Sequence, residues 1–293
     1  MRKEVLVMPL VELQQVSVVK KDRIILDLKN VEISIEKGDK IGIIGSNGSG
    51  KTTMIRVILN LINYKGTVHR HIQTKDVGIQ MQHNQFSDLM KVNEIISLVC
   101  NCSLADSRIQ EGLQRFNLQK LVDKRLSYLS GGEKQRLTIF LVIFHNPALL
   151  IFDEITSGLD FDSRNSIIKL IQSLTSDKTL LIVSHYFEEI EKLADKLLIL
   201  DDGKLLAFDT IENLCETHQF FSAISIDRDV AFENSSLRFV QTDSQKIFMT
   251  KNQEEEEKVM EKLRHDNIPF TYKPKDIKTL YTYIRKQTQR EIV

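Results

Sequence analysis

Lys40-Ile41-Gly42-Ile43-Ile44-Gly45-Ser46-Asn47-Gly48-Ser49-Gly50-Lys51-Thr52 is the stretch from which the rest of this chain is read. Lys40–Ile44 is a short, mainly apolar run that reads as a buried strand. It leads directly into a glycine-rich loop fitting GxxxxGK[ST]. Thr52–Ile62 then predicts a helix, with apolar Met54, Ile55, Ile58, Leu59 and Ile62 recurring at helical spacing. Glycines let successive backbone N–H groups point at one cluster of phosphate oxygens, and the helix N-terminus adds its positive end. On this reading Gly45, Ser46, Asn47, Gly48, Ser49, Gly50, Lys51, Thr52 and Thr53 bind the phosphates of a nucleotide. Lys51 reaches the β- and γ-phosphates, and the Thr52 hydroxyl ligates Mg²⁺. An ordinary glycine-rich turn is the plainer alternative, and the strand–loop–helix context weighs against it.

Working outward, Leu149–Phe152 and Thr179–Val183 are apolar runs of the kind found in parallel strands covered on both faces. Ile167–Leu174 and Phe187–Leu193 supply helices after them. Upstream, Val11–Val19, Ile24–Leu28 and Val31–Ile35 alternate with charged turns, as an antiparallel β region does. From about His83 to Phe144 the pattern is mainly helical. After about Cys215 it changes again: Phe220–Ile226, Leu237–Val240 and Lys246–Thr250 read as strands, Glu254–Arg264 and Lys275–Ile284 as helices. Strand, loop and helix alternating through the middle of the chain imply an α/β parallel sheet with a helical insertion.

Two further motifs carry chemistry. Leu149-Leu150-Ile151-Phe152-Asp153-Glu154 is a strand ending in two acids. Asp153 is placed to hold Mg²⁺ as a Walker-B acid does, and Glu154 to act on an attacking water as general base. Leu129-Ser130-Gly131-Gly132-Glu133-Lys134-Gln135-Arg136 opens an apolar helix. Ser130 with Glu133 makes a capping box, which explains those two residues but not two adjacent glycines. Gly131-Gly132 exposes backbone N–H groups at a helix start and so forms a second anion site.

With these motifs in hand, the sequence resembles the nucleotide-binding subunit of an ABC transporter, over roughly residues 10–215. The LSGGEKQR stretch at 129–136 is the most specific part of the likeness. The resemblance implies the fold class: an α/β P-loop ABC ATPase core with an N-terminal antiparallel β region, a helical subdomain and a small C-terminal α+β appendage. The expected division is 1–215 for the ATPase domain, with the helical subdomain at about 83–145, and 216–293 for the accessory domain. The resemblance also implies head-to-tail pairing with a second ATPase subunit, identical or similar, in which Ser130, Gly131 and Gly132 contact ATP held by the partner's P-loop. It puts a Mg²⁺- and water-contacting glutamine at Gln82, with Gln80 as a rival, because Met81 stands where the family usually has Pro. Ser157-Gly158-Leu159-Asp160 resembles the loop that crosses the dimer interface, and His185 the switch histidine at the γ-phosphate. The family's adenine-stacking aromatic has no counterpart: Val18, Val19 and Lys20 occupy that region. The implied activity is hydrolysis of ATP, with Mg²⁺, to power a separate transmembrane permease subunit, in a bacterial exporter of a peptide, drug or lipid. Such a subunit would be cytoplasmic and peripheral on the inner face of the cell membrane. The alternatives are a non-transport ABC ATPase acting on nucleic acid or the ribosome, and a weakly hydrolysing regulatory subunit.

Composition narrows these choices. Of 293 residues 42% are hydrophobic, enough apolar surface to exclude a disordered chain. Forty basic side chains balance forty acidic ones, so no broad electrostatic footprint favours nucleic acid, and none is expected as a partner. Cys100, Cys102 and Cys215 lack the paired spacing of a disulfide framework or zinc site and read as reduced thiols. The most apolar stretch, Leu137–Phe152, is broken at His145-Asn146-Pro147 and is too short to span a membrane. Met1–Leu10 carries only a short apolar run and no secretory signal.

Overall fold

The computed structural model describes residues 8–81, 86–232 and 237–290. The elements in chain order are β1 (Val11–Lys20), β2 (Arg23–Ile35), β3 (Lys40–Gly45), α1 (Lys51–Ile58), β4 (Lys65–Arg70) and β5 (Val77–Gln80). Helices α2 (Val92–Cys100), α3 (Ser107–Arg115) and α4 (Gly131–Ile143) follow. Then come β6 (Leu149–Asp153), α5 (Phe161–Thr175), β7 (Thr179–Val183), α6 (Phe187–Leu193), β8 (Lys196–Asp201), β9 (Lys204–Thr210) and α7 (Ile211–Thr217). The last group is β10 (Ser222–Asp227), β11 (Arg238–Gln241), β12 (Gln245–Thr250), α8 (Gln253–His265), β13 (Thr271–Pro274) and α9 (Ile277–Arg290).

Among the described residues nine strands form one mixed sheet in the order β4-β1-β2-β9-β8-β3-β7-β6-β5. Its centre is parallel: β3 pairs with β7 and β8, and β6 with β7 and β5. Every residue of β6 and β7 is buried, which explains why their sequences are continuous apolar runs rather than alternating ones. β1 and β2 make the expected antiparallel region, and β4 joins it beside β1. A second sheet, β11-β12-β10-β13, is wholly antiparallel. One face of it packs with α8 through Ile224, Phe248, Val259 and Leu263. Residues of its other face, Ala223 and Met249, join the main core together with Ile277, Leu280 and Ile284 of α9. The architecture is the expected α/β class. Among the described residues no helix is long and apolar enough to cross a membrane.

Several elements differ from the sequence reading. The two strands expected at Ile24–Leu28 and Val31–Ile35 are one strand, β2, running through exposed Lys29-Asn30. The irregularity shows in its pairing with β1: between Gln14↔Glu32 and Val16↔Leu28, Gln15 (φ 53°) faces Lys29, Asn30 and Val31, so β2 carries the extra residues as a bulge. The helix expected to reach Ile62 stops at Ile58, because Asn60 turns left-handed at φ 57° and the Leu61 N–H bonds back to the Arg56 carbonyl. The helical stretch expected from His83 forms its first described helix only at Val92. The hairpin β8–β9, α7 and β13 were not anticipated at all.

Close packing at the centre gives a test. A Cβ added at Gly42 in β3 would lie 2.5 Å from Ile190 Cγ2 and 3.3 Å from Ala194 Cβ, where α6 crosses the sheet. Gly42→Val is therefore expected to lower stability by about 1–3 kcal/mol, measured by denaturant unfolding, as overpacking does. An unchanged midpoint would show that α6 moves away freely.

Candidate functional site

The glycine-rich loop joins β3 to α1 as the sequence required. Gly50 caps α1 in a left-handed conformation at φ 102°, and Gly48 has φ 80°, values that other residues adopt only with strain. A Cβ on Gly45 would come within 2.2 Å of the Leu200 carbonyl oxygen, so the loop can pass β8 only with glycine there. Lys51 is buried, and its ammonium donates to the carbonyls of Gly45 (2.8 Å) and Ser46 (2.9 Å). Burial pulls its pKa below the usual lysine value, against the opposing pull of Glu154 and Asp153.

The parallel register carries two more loops to the same edge. Asp153, the last residue of β6, is 2% exposed, and its Oδ2 accepts from the Thr52 hydroxyl at 3.2 Å. Burial pushes the Asp153 carboxyl above its ordinary pKa, opposed by that hydroxyl and by Lys51. Glu154 follows with φ 56°, an uncommon backbone conformation for a side chain of this size, and its N–H donates to the Val183 carbonyl. His185, just past β7, is half-exposed, with Nε2 only 2.5 Å from Glu154 Oε1. The turns that follow β6 and β7 are tied by a buried carboxylate, Glu189, which accepts from Ser184 Oγ at 2.6 Å and from Thr156 Oγ1. Arg164, stacked 3.5 Å over the Tyr186 ring, lies 3.6 Å from the same carboxylate.

A cavity of about 580 Å³ opens at this edge, lined by the loop from Asn47 to Thr53 together with Glu154 and His185. Its other wall comes from Arg23, Ile24 and Ile25 of β2 and from Asp202 in the β8–β9 turn. The sequence reading had not placed any of these four at the site. The Asp202-Gly203 pair between two apolar runs was a readable hairpin signal. Gly203 (φ 77°) lets that turn lie against β2, where its carbonyl accepts from Asp27, and its N–H donates to the Ser49 carbonyl. Val18, Val19 and Lys20, expected where the family keeps an aromatic ring, are not among the residues lining the cavity. Exposed Ile24, paired across the hairpin with Val19, presents an aliphatic surface there instead.

The structure brings together Gly45, Ser46, Asn47, Gly48, Ser49, Gly50, Lys51, Thr52, Thr53, Asp153, Glu154 and His185. Ser130, Gly131 and Gly132 stand apart from the cavity lining, at the N-terminus of α4. The capping box is formed: Ser130 Oγ accepts from the Glu133 N–H at 3.3 Å, and Glu133 Oε2 from the Ser130 N–H at 2.7 Å. Ser130 and Gly131 are nonetheless exposed. Gln82 lies outside the described residues. Gln80, the rival, is buried on β5 with its amide donating to the Met81 carbonyl.

Chemically, the edge offers a ring of loop amides, one ammonium, a hydroxyl–carboxylate pair and a carboxylate–imidazole pair. Among the described residues no three His, Cys, Asp or Glu side chains cluster as a complete metal cage. Thr52 and Asp153 present adjacent oxygen donors, which suits a cation that takes only one or two protein ligands and keeps its remaining positions for water and phosphate.

Comparison with known proteins agrees with this geometry. Residues 28–157 match the family described as ABC transporter. The chain is 28% identical over 218 residues to the ABC transporter ATP-binding protein NatA of Bacillus subtilis (strain 168), covering 68% of this chain and 88% of that protein. It is 31% identical over 212 residues to the methionine import ATP-binding protein MetN of Ligilactobacillus salivarius (strain UCC118), covering 63% of this chain and 60% of that protein. Among solved structures it resembles a bacterial Atm1-family ABC exporter with ATP bound, with a TM-score of 0.62 at 23% identity over 72% of this chain and 40% of the other. That last likeness is one of fold.

The raised pKa of Asp153 gives a pH prediction. Its unfolded value is about 3.9 and its folded value is higher, so the folded chain pays to ionise it. That destabilisation is absent at acid pH, grows as pH rises through the interval between the two values, and is complete above the folded one. Asp153→Asn, in EDTA, is expected to raise the thermal midpoint at neutral pH, with the gain shrinking toward about pH 4. A gain independent of pH would contradict the burial penalty.

Proposed function

Starting from a chain that belongs to the ABC transporter ATP-binding family, whose members are ATPases coupled to transport, we propose how its own residues bind and hydrolyse ATP. The observation that carries the reading is the convergence of Lys51, Thr52, Asp153, Glu154 and His185 on one edge of the parallel sheet. Loop amides from Gly45 to Thr53 and the Lys51 ammonium take the phosphate oxygens, where fixed donors in a low-dielectric setting stabilise developing charge. Thr52 and Asp153 hold Mg²⁺, which neutralises phosphate charge when bound. Their adjacent oxygens, and a buried carboxylate whose ionisation a cation would favour, fit that ion.

Glu154 takes the proton of the water that attacks the γ-phosphorus, and His185 steadies Glu154 while facing the same phosphate. Gln82 contacts Mg²⁺ and the water, a role resting on the sequence resemblance. The adenine lies against Ile24 and Arg23, which replace the missing aromatic. Ser130, Gly131 and Gly132 serve the ATP of a second subunit paired head to tail. The exposure of Ser130 and Gly131, and the separation of all three residues from this chain's own cavity, support that reading. The chain powers a separate transmembrane permease from the cytoplasmic face of the membrane, in export of a peptide, drug or lipid. Direction and cargo rest on the sequence resemblance.

Glu154→Gln is expected to keep ATP binding by calorimetry and to lose at least about 100-fold in turnover, as removal of a general base does. Hydrolysis at the wild-type rate would remove Glu154 from this role. Affinity purification of the chain from membranes is expected to retain a multi-spanning membrane protein. Recovery of ribosomes in its place would favour the non-transport alternative.

A further inference from the structure

Helix α9, far along the chain, contacts two segments that adjoin residues of the nucleotide cavity. At the first, Arg285 Nε donates to Asp201 Oδ2 at 3.0 Å, and Asp201 Oδ1 accepts from the Ser46 hydroxyl at 2.9 Å. Ser46 belongs to the phosphate loop, and its carbonyl is one of the two that accept from Lys51. At the second, the Tyr281 ring packs against Phe187 at 5.6 Å between centroids, and Phe187 opens α6 just past His185. The Ile277 N–H also donates to Glu191 of α6. Buried Ile277, Leu280 and Ile284 anchor the helix in the main core between these two contacts.

Asp201 ends β8 directly beside the loop, since Leu200 is paired with Gly45. Its carboxylate is mostly covered, with 14% of the side chain exposed against 38% for Arg285. A carboxylate in this position fixes the Ser46 side chain. It also puts a negative charge behind a loop that takes up polyphosphate, and like charges oppose each other's presence. Arg285 supplies the cancelling charge from 84 positions away in sequence.

We propose that Arg285 is a positioning residue of the nucleotide site: by pairing with Asp201 it neutralises the charge behind the phosphate loop and holds Ser46 in place, so the C-terminal helix sets how tightly the loop takes ATP. This rests on the ATP-binding reading above. The test is calorimetric titration of the full chain with Mg-ATP, alongside ATP turnover. Arg285→Ala is expected to weaken binding about three- to tenfold, the range open to a partly covered ion pair, with a smaller change in kcat. Arg285→Lys should retain most of the affinity. In the Arg285→Ala, Asp201→Asn double variant affinity should return to within about twofold of wild type, because asparagine still accepts from Ser46 but carries no charge.

If Arg285 merely anchors α9, the double variant will bind as weakly as Arg285→Ala, and the proposal fails. It fails equally if Arg285→Ala binds like wild type. Wild-type protein that does not bind ATP, or that still binds it after Lys51→Ala, overturns the ATP reading itself and this proposal with it.

Discussion

The structure depends on the register of three parallel strands. Ile43 of β3 lies opposite Val183 of β7, and Val183 lies opposite Asp153 of β6, so β6 and β7 end at one level and β3 runs two residues further toward the same edge. Parallel strands covered by helices on both faces leave their C-terminal ends open on a single edge, where loops from distant parts of the sequence meet. The phosphate loop follows β3, the acidic pair closes β6, and His185 follows β7. The apolar runs are therefore the reason that Lys51, Thr52, Asp153, Glu154 and His185 can act together. A slip of one residue in any of these strands would carry its loop away from the others.

Bringing charges to that edge creates tension which the fold resolves locally. Lys51 is buried with its ammonium capped by two carbonyls, and Asp153 is buried with a hydroxyl as its neighbour. Burial disfavours the charged form of each, and the two groups partly compensate one another. Glu154 adds backbone strain at φ 56°, held by its N–H bond to Val183 and by its contact with His185. Strain and unfavourable burial are sustained because the surrounding sheet is fully packed, and because Glu189 ties the turns after β6 and β7 to each other.

The C-terminal portion is more than an addition to the surface. Its antiparallel sheet buries one face under α8 and contributes residues of the other to the main core, and α9, anchored in that core, reaches Asp201 beside the glycine-rich loop. A single helix thereby touches Asp201, which holds the Ser46 hydroxyl, and α6, which begins just past His185, and this makes the geometry of the site sensitive to parts of the chain outside the region matched by the family.

By itself the sequence determined the α/β class, the glycine-rich loop between strand and helix, the acidic strand end and the capped helix at Ser130. All of these are local: a few consecutive residues specify the backbone turn, the burial or the cap. It overran α1 to Ile62 because apolar periodicity carries no sign of where Asn60 will turn left-handed. It split β2 at Lys29-Asn30 because a polar pair between apolar runs reads as a turn, whereas here it belongs to a bulge within one continuous strand. Only the tertiary structure decided that Arg23, Ile24 and Asp202 wall the cavity, since the sheet order sets β8 beside β3 and β9 beside β2, against their order in the chain. It alone decided that Arg285 answers Asp201. The physical reason is the same in each case: pairing across a sheet and packing of a distant helix are set by contacts between segments, and no single segment records its partner.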